Sequence, residues 1–297
     1  MDHKAFLKSL DPDVARRLVE KSDRAGMVHL AGHVGLISLF GLYIALQAPF
    51  WGLLLPLQGV LIVFLFTLEH EATHKTPFAN EVLNEWVGRC CGVMILLPFE
   101  WFRYFHLAHH RHTNIPGKDP ELGHGEAGDK PDTWARWIMH VSGIPVWISQ
   151  IKQIVINALG RASGPYLPPR AVGRITKEAR IMLGLYALAA LSFAFTTLLF
   201  WVWILPALIA QPALRLYLLA EHGRCPQLAN MFDNTRTTYT NRIIRFVAWN
   251  MPYHVEHHVF PNVPFYLLPQ LHVLTKDHLI HTEPGYVAFT KQYVADF

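Results

Sequence analysis

Long apolar runs constrain the fold of this chain more than any other feature of its sequence. Two runs follow one another near the N-terminus, and a second pair follows in the C-terminal half with almost no polar connection. Each run is close to the roughly 20 residues that a helix needs to cross the hydrocarbon core of a membrane. The sequence therefore predicts an all-α integral membrane protein with four transmembrane helices in two hairpins, at about 27–47, 50–70, 181–200 and 201–221.

Composition and charge support this prediction and orient the helices. Hydrophobic residues make up 52% of the chain and charged residues 16%, against about 25% charged residues in an average soluble domain. Six Lys and Arg residues precede the first run, 13 lie in 72–180 and 6 follow residue 221. The positive-inside rule then places both termini and the segments 72–180 and 222–297 in the cytoplasm.

We expect one domain, 1–297, with a helical cytoplasmic cap. The modest net charge of +4 does not suggest nucleic-acid binding.

Two further apolar segments are too short or too polar to be complete membrane spans. Trp86 to Phe99 is too short to cross and is typical of a re-entrant or interfacial segment. Trp134 to Leu159 mixes Trp and Ile with polar positions, which predicts an amphipathic helix on the membrane surface.

Histidines form three clusters beside the predicted hairpins. The second span ends in an HxxxH sequence, and HxxHH occurs once in the central segment and once near the C-terminus. On a helix, residues four apart share one face and can bind one metal ion. A further histidine ends the fourth span, and nine imidazoles exceed the needs of a single metal. The candidate ligands are His70, His74, His106, His109, His110, His222, His254, His257 and His258.

The type of ligand narrows the choice of metal. Imidazole suits iron, copper, zinc and nickel, and zinc has no redox chemistry. The three cysteines contain no CxxC pair, which argues against a thiolate zinc site or an iron–sulfur cluster. We therefore predict two redox-active iron ions that activate dioxygen.

These boxes and the sequence around them resemble the membrane-bound fatty acid desaturase family. The matching text is 70–75, 106–120 and 253–269, and the resemblance extends over about residues 27–272. It implies two non-heme iron ions held by the three boxes and suggests that His222 fills an extra ligand position. It also implies a lipid or acyl substrate and an external electron donor, such as a ferredoxin, a rubredoxin or a cytochrome with its reductase, because no heme-binding HPGG sequence is present.

Other functions remain open at this stage. The same scaffold supports hydroxylases, ketolases and oxidative decarboxylases, which the box spacing does not distinguish from desaturases. A membrane metal-binding or transport protein is a different class. Transport sites usually lie at mid-membrane between spans, whereas these histidines gather at one end of the spans.

The remaining histidines and several acidic residues have their own predictions. His29 and His33 in the first span are interpreted as interfacial or helix-packing residues, and His112 as a neighbour of a ligand rather than a ligand. Metal-bound imidazoles usually donate their other N–H to a carboxylate or carbonyl. The candidate acceptors are Glu69, Glu71, Asp119, Glu221 and Glu256. The histidines predicted to lie at the surface or to be satisfied are His3, His124, His140, His272, His278 and His281.

Overall fold

The apolar runs fold into helices in the computed structural model, which describes residues 1–122 and 130–297. His124 lies outside the described residues. Two short strands, β1 (Thr237–Thr238) and β2 (Thr282–Glu283), pair in parallel. The α-helices are α1 (His3–Ser9), α2 (Pro12–Leu18), α3 (Asp23–Ala45), α4 (Leu55–Val63), α5 (Leu65–Thr73), α6 (Glu81–Ile95), α7 (Phe99–His112), α8 (Trp134–Ser142), α9 (Ile144–Ala158), α10 (Pro169–Ser192), α11 (Leu205–His222), α12 (Met231–Asn234), α13 (Arg242–Val247), α14 (His254–Val259), α15 (Leu268–Thr275) and α16 (Tyr286–Val294).

Three helical stretches in the described residues are long and apolar enough to cross a membrane: Pro12–Ala45, Trp51–Thr73 and Phe200–His222. They correspond to the first, second and fourth predicted spans. The predicted third span, 181–200, does not meet this test. Its helix, α10, starts at Pro169 with turns rich in Arg and Lys, and it ends at Ser192 rather than at 200.

The predicted re-entrant segment is half of a bent helix pair. Helices α6 and α7 meet at 99° across a short break, as in a broken span or a re-entrant loop. The break forms because Leu96 has a positive φ of 62° and Pro98 precedes the first turn of α7. The bend brings α7, which carries the second histidine box, alongside α5.

The predicted amphipathic segment forms two helices, α8 and α9, rather than one. Gly143 separates them with φ +71°, a left-handed conformation that favours glycine. A Cβ atom at this position would lie 2.2 Å from Cγ of Gln211, so the corner packs closely against α11. Large apolar side chains on both helices, including Ile138 and Ile148, are exposed.

His29 and His33 join the first span to its neighbours. Nε2 of His33 lies 2.8 Å from the carbonyl oxygen of Leu61, and Nε1–H of Trp249 donates to Nδ1 of His33 at 3.0 Å. The carbonyl lies beside the break between α4 and α5, where the helical hydrogen-bond ladder is interrupted. Nε2 of His29 lies 2.8 Å from the carbonyl oxygen of Phe246. The helix-packing interpretation of both histidines is confirmed.

Gly59 sets the approach of α4 to α11. A Cβ atom at this position would lie 2.0 Å from the carbonyl oxygen of Pro206. This backbone atom cannot move away as a flexible side chain can, so Gly59→Ala must push the two helices apart. Overpacking of this kind typically costs about 1–3 kcal/mol.

We expect Gly59→Ala to lower the thermal unfolding temperature of the purified protein in detergent. Gly35→Ala is the matched control, because a Cβ atom at Gly35 meets nothing within 4 Å. An equal unfolding temperature for the two variants would contradict close α4–α11 packing at Gly59.

Candidate metal centre

Five predicted ligands form a first histidine group at the end of the second span. His70 and His74 lie one turn apart at the end of α5, and His106 and His110 lie one turn apart on α7. His257 from α14 completes the group. One ligand atom from each of the five residues lies within 4.8 Å of every other.

The other four predicted ligands form a second group beside the first. His109, His222 and His258 each offer a ligand atom within 4.8 Å of the other two. Nε2 of His254 lies 3.1 Å from Nε2 of both His222 and His258. The rings of His110 and His258 stack with centroids 4.1 Å apart, so the two groups adjoin.

Each HxxHH box contributes to both groups, and helix geometry explains why. In α7, His106 and His110 point to the first group, while His109 is rotated toward the second. In α14, His257 joins the first group, and His254 and His258, four residues apart, face the second. Three histidines on two sides of one short helix can therefore serve two neighbouring metal ions.

Asp119 is the best-positioned of the predicted carboxylate partners. Its two oxygens lie 2.9 and 3.0 Å from Nδ1 of His109. The backbone N–H groups of Asn114 and Glu121 also donate to it. Burial alone raises the pKa of Asp119, but the hydrogen bonds from His109 and from these backbone groups outweigh it and lower the pKa below its usual value. Asp119 is therefore an anion that orients His109.

Two other carboxylates face imidazoles of the groups. Oε1 of Glu71 lies 3.4 Å from Nδ1 of His257, and Oε1 of Glu221 lies 3.4 Å from Nδ1 of His254. The second oxygen of Glu71 accepts hydrogen bonds from the hydroxyl of Thr76 and the backbone N–H of Phe265. These two hydrogen bonds therefore fix the Glu71 carboxylate through the oxygen that does not face His257.

Glu256 and Glu69 do not face the predicted ligands in this way. Glu256 accepts from the hydroxyl of Thr237 at 2.6 Å and lies 2.5 Å from Nδ1 of His272, so it anchors α14 to its surroundings. His272 is thereby a satisfied histidine, as predicted. Both oxygens of Glu69 are buried without a hydrogen-bond partner among the described residues.

Some partners of the histidines were not predicted. The hydroxyl oxygen of Thr113 lies 3.2 Å from Nδ1 of His258, and the carbonyl oxygen of Asn234 lies 3.1 Å from Nδ1 of His222. The position of Thr113, just after the second box, was a usable signal. Asn234 acts through its backbone, which any residue has, and no sequence pattern marks it. His112 belongs to neither group.

The donor set fits bound cations. His222 must carry its proton on Nδ1 to donate to the Asn234 carbonyl, which leaves Nε2 unprotonated and facing Nε2 of His254 at 3.1 Å. Nε2 of His74 and of His106 face each other at 2.9 Å. Facing lone pairs repel unless a proton or a cation lies between them.

The protonation states of most of these imidazoles agree with a cation site, whereas, despite its burial, the carboxylates of Glu121 and Asp119 raise the pKa of His109 above its usual value. Burial lowers the pKa of His74 to about 3 and lowers the pKa of His257 and His258 well below the usual value. These imidazoles are neutral near pH 7, which is the state that ligates a metal. The histidine cluster is therefore capable of binding metal.

A cavity of about 520 Å³ opens onto both histidine groups. His70 and His106 border it from the first group, and His109, His222 and His254 from the second. Its apolar wall lies beside the imidazoles, with the ring of Phe102 stacked on that of His106 at 5.4 Å. The side chains of this wall are Phe66, Leu97, Trp101, Phe102 and Phe105.

The fold and the site together define a class of protein: a helical membrane protein with a histidine-rich cluster that is capable of binding metal. A family model described as fatty acid desaturase matches residues 46–290, so the chain belongs to the fatty acid desaturase family, as predicted. It is 27% identical over 218 residues to the sphingolipid delta(4)-desaturase/C4-monooxygenase of Rattus norvegicus, covering 71% of this chain and 61% of that protein.

Two bacterial relatives extend the comparison. The chain is 24% identical over 265 residues to the sn-1 acyl-lipid omega-3 desaturase (ferredoxin) of Synechocystis, covering 80% of this chain and 72% of that protein. It is 26% identical over 239 residues to the dihydrorhizobitoxine desaturase of Bradyrhizobium elkanii, covering 75% of this chain and 65% of that protein. These names describe proteins that this chain is similar to.

We expect Asp119→Asn to weaken metal binding in the second histidine group. The substitution removes the anionic acceptor from His109, and partners of this kind are worth about 10–100-fold in metal affinity. Metal retained at rising chelator concentration measures the change. Asp132→Asn is the control, because Asp132 is exposed and pairs with Arg136 away from the site. Identical release curves would refute the role of Asp119.

Proposed function

We propose that this chain catalyses O2-dependent oxidation of an acyl or other long apolar chain, most simply the desaturation of a fatty acid or lipid. The convergence of nine histidines beside an aromatic-lined cavity carries the proposal, in a chain of the fatty acid desaturase family. Two non-heme iron ions would be held by His70, His74, His106, His110 and His257, and by His109, His222, His254 and His258.

The chain's own residues prepare this chemistry in three ways. Asp119 and the Asn234 carbonyl select the imidazole tautomer that presents an unprotonated Nε2. The aromatic wall, with Phe102 and Phe105, excludes water and holds a methylene group next to the site. Bound iron would supply the reduction of dioxygen and the oxidising power for C–H cleavage, with two electrons from outside the chain.

The proposed topology follows the charge distribution. Both termini, the segments 72–180 and 222–297 and the metal centre face the cytoplasm, where a soluble donor can reach them. The chain is one domain. In this topology the bent pair α6–α7 is a re-entrant loop with both ends on the cytoplasmic side, and 181–200 returns the chain to the other face before the last span. A ferredoxin is the first donor to test, because the Synechocystis relative is named for one. Rubredoxin and cytochrome systems are the alternatives.

Hydroxylation is the second candidate function, and one observation favours it. The Rattus norvegicus relative is named both a desaturase and a monooxygenase. Both outcomes begin with loss of one hydrogen from a methylene group. Loss of the neighbouring hydrogen gives an alkene, whereas addition of hydroxyl gives an alcohol.

Lipid analysis of cells with and without this chain tests the proposal. We expect a product that has lost two hydrogens, or one that has gained an oxygen if hydroxylation prevails, measured by mass spectrometry. His257→Ala should reduce that product below detection, because His257 is fully buried within the first histidine group.

His112→Ala is the matched control, because it removes a histidine at the end of α7, the helix of His106 and His110, that belongs to neither group. It should retain most of the product. Full activity of His257→Ala would refute the ligand assignment, and an unchanged lipid profile in cells that contain the wild-type protein and a functional donor would refute the proposed function.

A further inference from the structure

Two buried asparagines join the segment after α7 to the segment after α11. Nδ2–H of Asn114 donates to the backbone carbonyl of Asn234 at 2.8 Å, and Nδ2–H of Asn234 donates to the backbone carbonyl of Thr113 at 3.0 Å. Asn114 is 1% exposed and Asn234 is fully buried. Buried amides must be hydrogen-bonded to avoid a large desolvation cost. The reciprocal bonds therefore fix the two segments against each other.

The carbonyl oxygen of Asn234 is also the atom that orients His222. It accepts the Nδ2–H of Asn114 at 2.8 Å and lies 3.1 Å from Nδ1 of His222. A carbonyl oxygen has two lone pairs, so these two donors use both of them. The side chain of Asn114 therefore determines where the acceptor behind His222 lies.

The backbone of Asn114 contacts the partner of a second ligand. Its N–H donates at 2.7 Å to Asp119, whose carboxylate faces Nδ1 of His109. The residue before it, Thr113, has its hydroxyl oxygen 3.2 Å from Nδ1 of His258. Three of the four imidazoles of the second histidine group thus face partners that belong to Asn114, are bonded to it or precede it in the chain.

An asparagine suits this position in two ways. Asn114 has a φ of +58°, in the left-handed region where asparagine is enriched among residues other than glycine. Nζ of Lys130 lies 3.1 Å from Oδ1 of Asn114 and 2.6 Å from the carbonyl oxygen of His222. An ammonium group can only donate. Lys130 therefore selects the amide orientation in which Oδ1 faces it and Nδ2–H faces Asn234.

The first histidine group has different outer partners. Nδ1 of His257 lies 3.4 Å from Glu71, and Nδ1 of His70 and of His110 has no hydrogen-bond partner in the part of the chain that the structure describes. Loss of the Asn114 side chain should therefore affect the second group and spare the first.

We propose that Asn114 is a positioning residue for the metal ion of the second histidine group. It acts through two other groups, the Asn234 carbonyl behind His222 and the Asp119 carboxylate behind His109. This inference rests on the proposed function, because it assigns the geometry of one of the two proposed iron sites to one residue outside the ligand set.

Iron retention by the holoenzyme in detergent tests the proposal. Iron retained per chain is measured by mass spectrometry of the metal at rising chelator concentration. Asn114→Gly permits the left-handed conformation and keeps the backbone N–H, but it removes both side-chain hydrogen bonds. We expect one of its two iron ions to leave at a chelator concentration about tenfold or more below that of the wild type, with the other released as in the wild type.

Asn250→Gly is the matched control. Asn250 has nearly the same conformation, with φ +57°, and its Nδ2–H also donates to a backbone carbonyl, that of Phe265 at 3.0 Å. Both variants lose such a bond and gain the same backbone freedom, so a purely structural effect would appear in both. Asn250→Gly should release both ions as the wild type does. Equal release curves for the two variants, or equal weakening of both ions in Asn114→Gly, would overturn the proposal.

Asn114→Asp decides the matter if the glycine variant does not fold. Aspartate tolerates the left-handed conformation and can accept from Lys130, but its carboxylate cannot donate to the Asn234 carbonyl and repels it. It should show the same selective loss of one iron ion. Retention of both ions as in the wild type would overturn the proposal.

The outcomes also separate this inference from the proposed function. Two ions in the wild type and unchanged retention in the folded Asn114 variants would refute the role of Asn114 and leave the proposed function standing. Selective loss of one ion in these variants, with no oxidised product from the wild type and a functional donor, would refute the proposed function and leave the role of Asn114 standing. Fewer than two ions in the wild type would contradict both.

Discussion

The opposed Nε2 atoms of neutral, buried imidazoles are the interaction on which the rest of this structure depends. They can converge because Nδ1 atoms face partners on the outside of the cluster: the Thr113 hydroxyl behind His258 and the Asn234 carbonyl behind His222. A neutral ring that donates through Nδ1 has a lone pair on Nε2. Without a cation, these lone pairs and their burial destabilise the fold, so a cation bound between them would stabilise it.

The helices are arranged to hold that cluster. The end of α5, the bent-back α7, the end of α11 and the short α14 each carry histidines to it. Behind them, the fully buried Trp249 donates to His33 of the first span, and Glu71 ties α5 to the backbone of Phe265. The membrane-spanning part and the histidine cap are therefore one packed unit, and packing changes such as Gly59→Ala act on both.

Local spacing made much of the site predictable from the sequence. Residues four apart on one helix must share a face, so the partition of His106 and His110 from His109 followed from helix geometry. Contacts between distant segments were less predictable. The length of an apolar run did not show that α10 would end at Ser192, and a backbone acceptor such as the Asn234 carbonyl leaves no trace in the sequence.

The tertiary structure also gives single residues contacts that the sequence did not predict. His140 has no sequence pattern that separates it from a surface histidine, and only packing against α11 places it beside Arg215. Glu256 follows the first histidine of its box closely, yet it pairs with His272 because α15 packs on that side of α14. Periodicity predicts faces of helices, whereas neighbours from distant segments decide what each face contacts.

Metal content of the native protein tests the central claim most directly. Protein purified from iron-supplied cells without chelators should contain about two iron ions per chain, and His222→Ala about one, because His222 belongs to the second histidine group. Mass spectrometry of the metals, set against protein concentration, measures both. One metal ion or none in wild-type protein that still oxidises lipid would contradict the account.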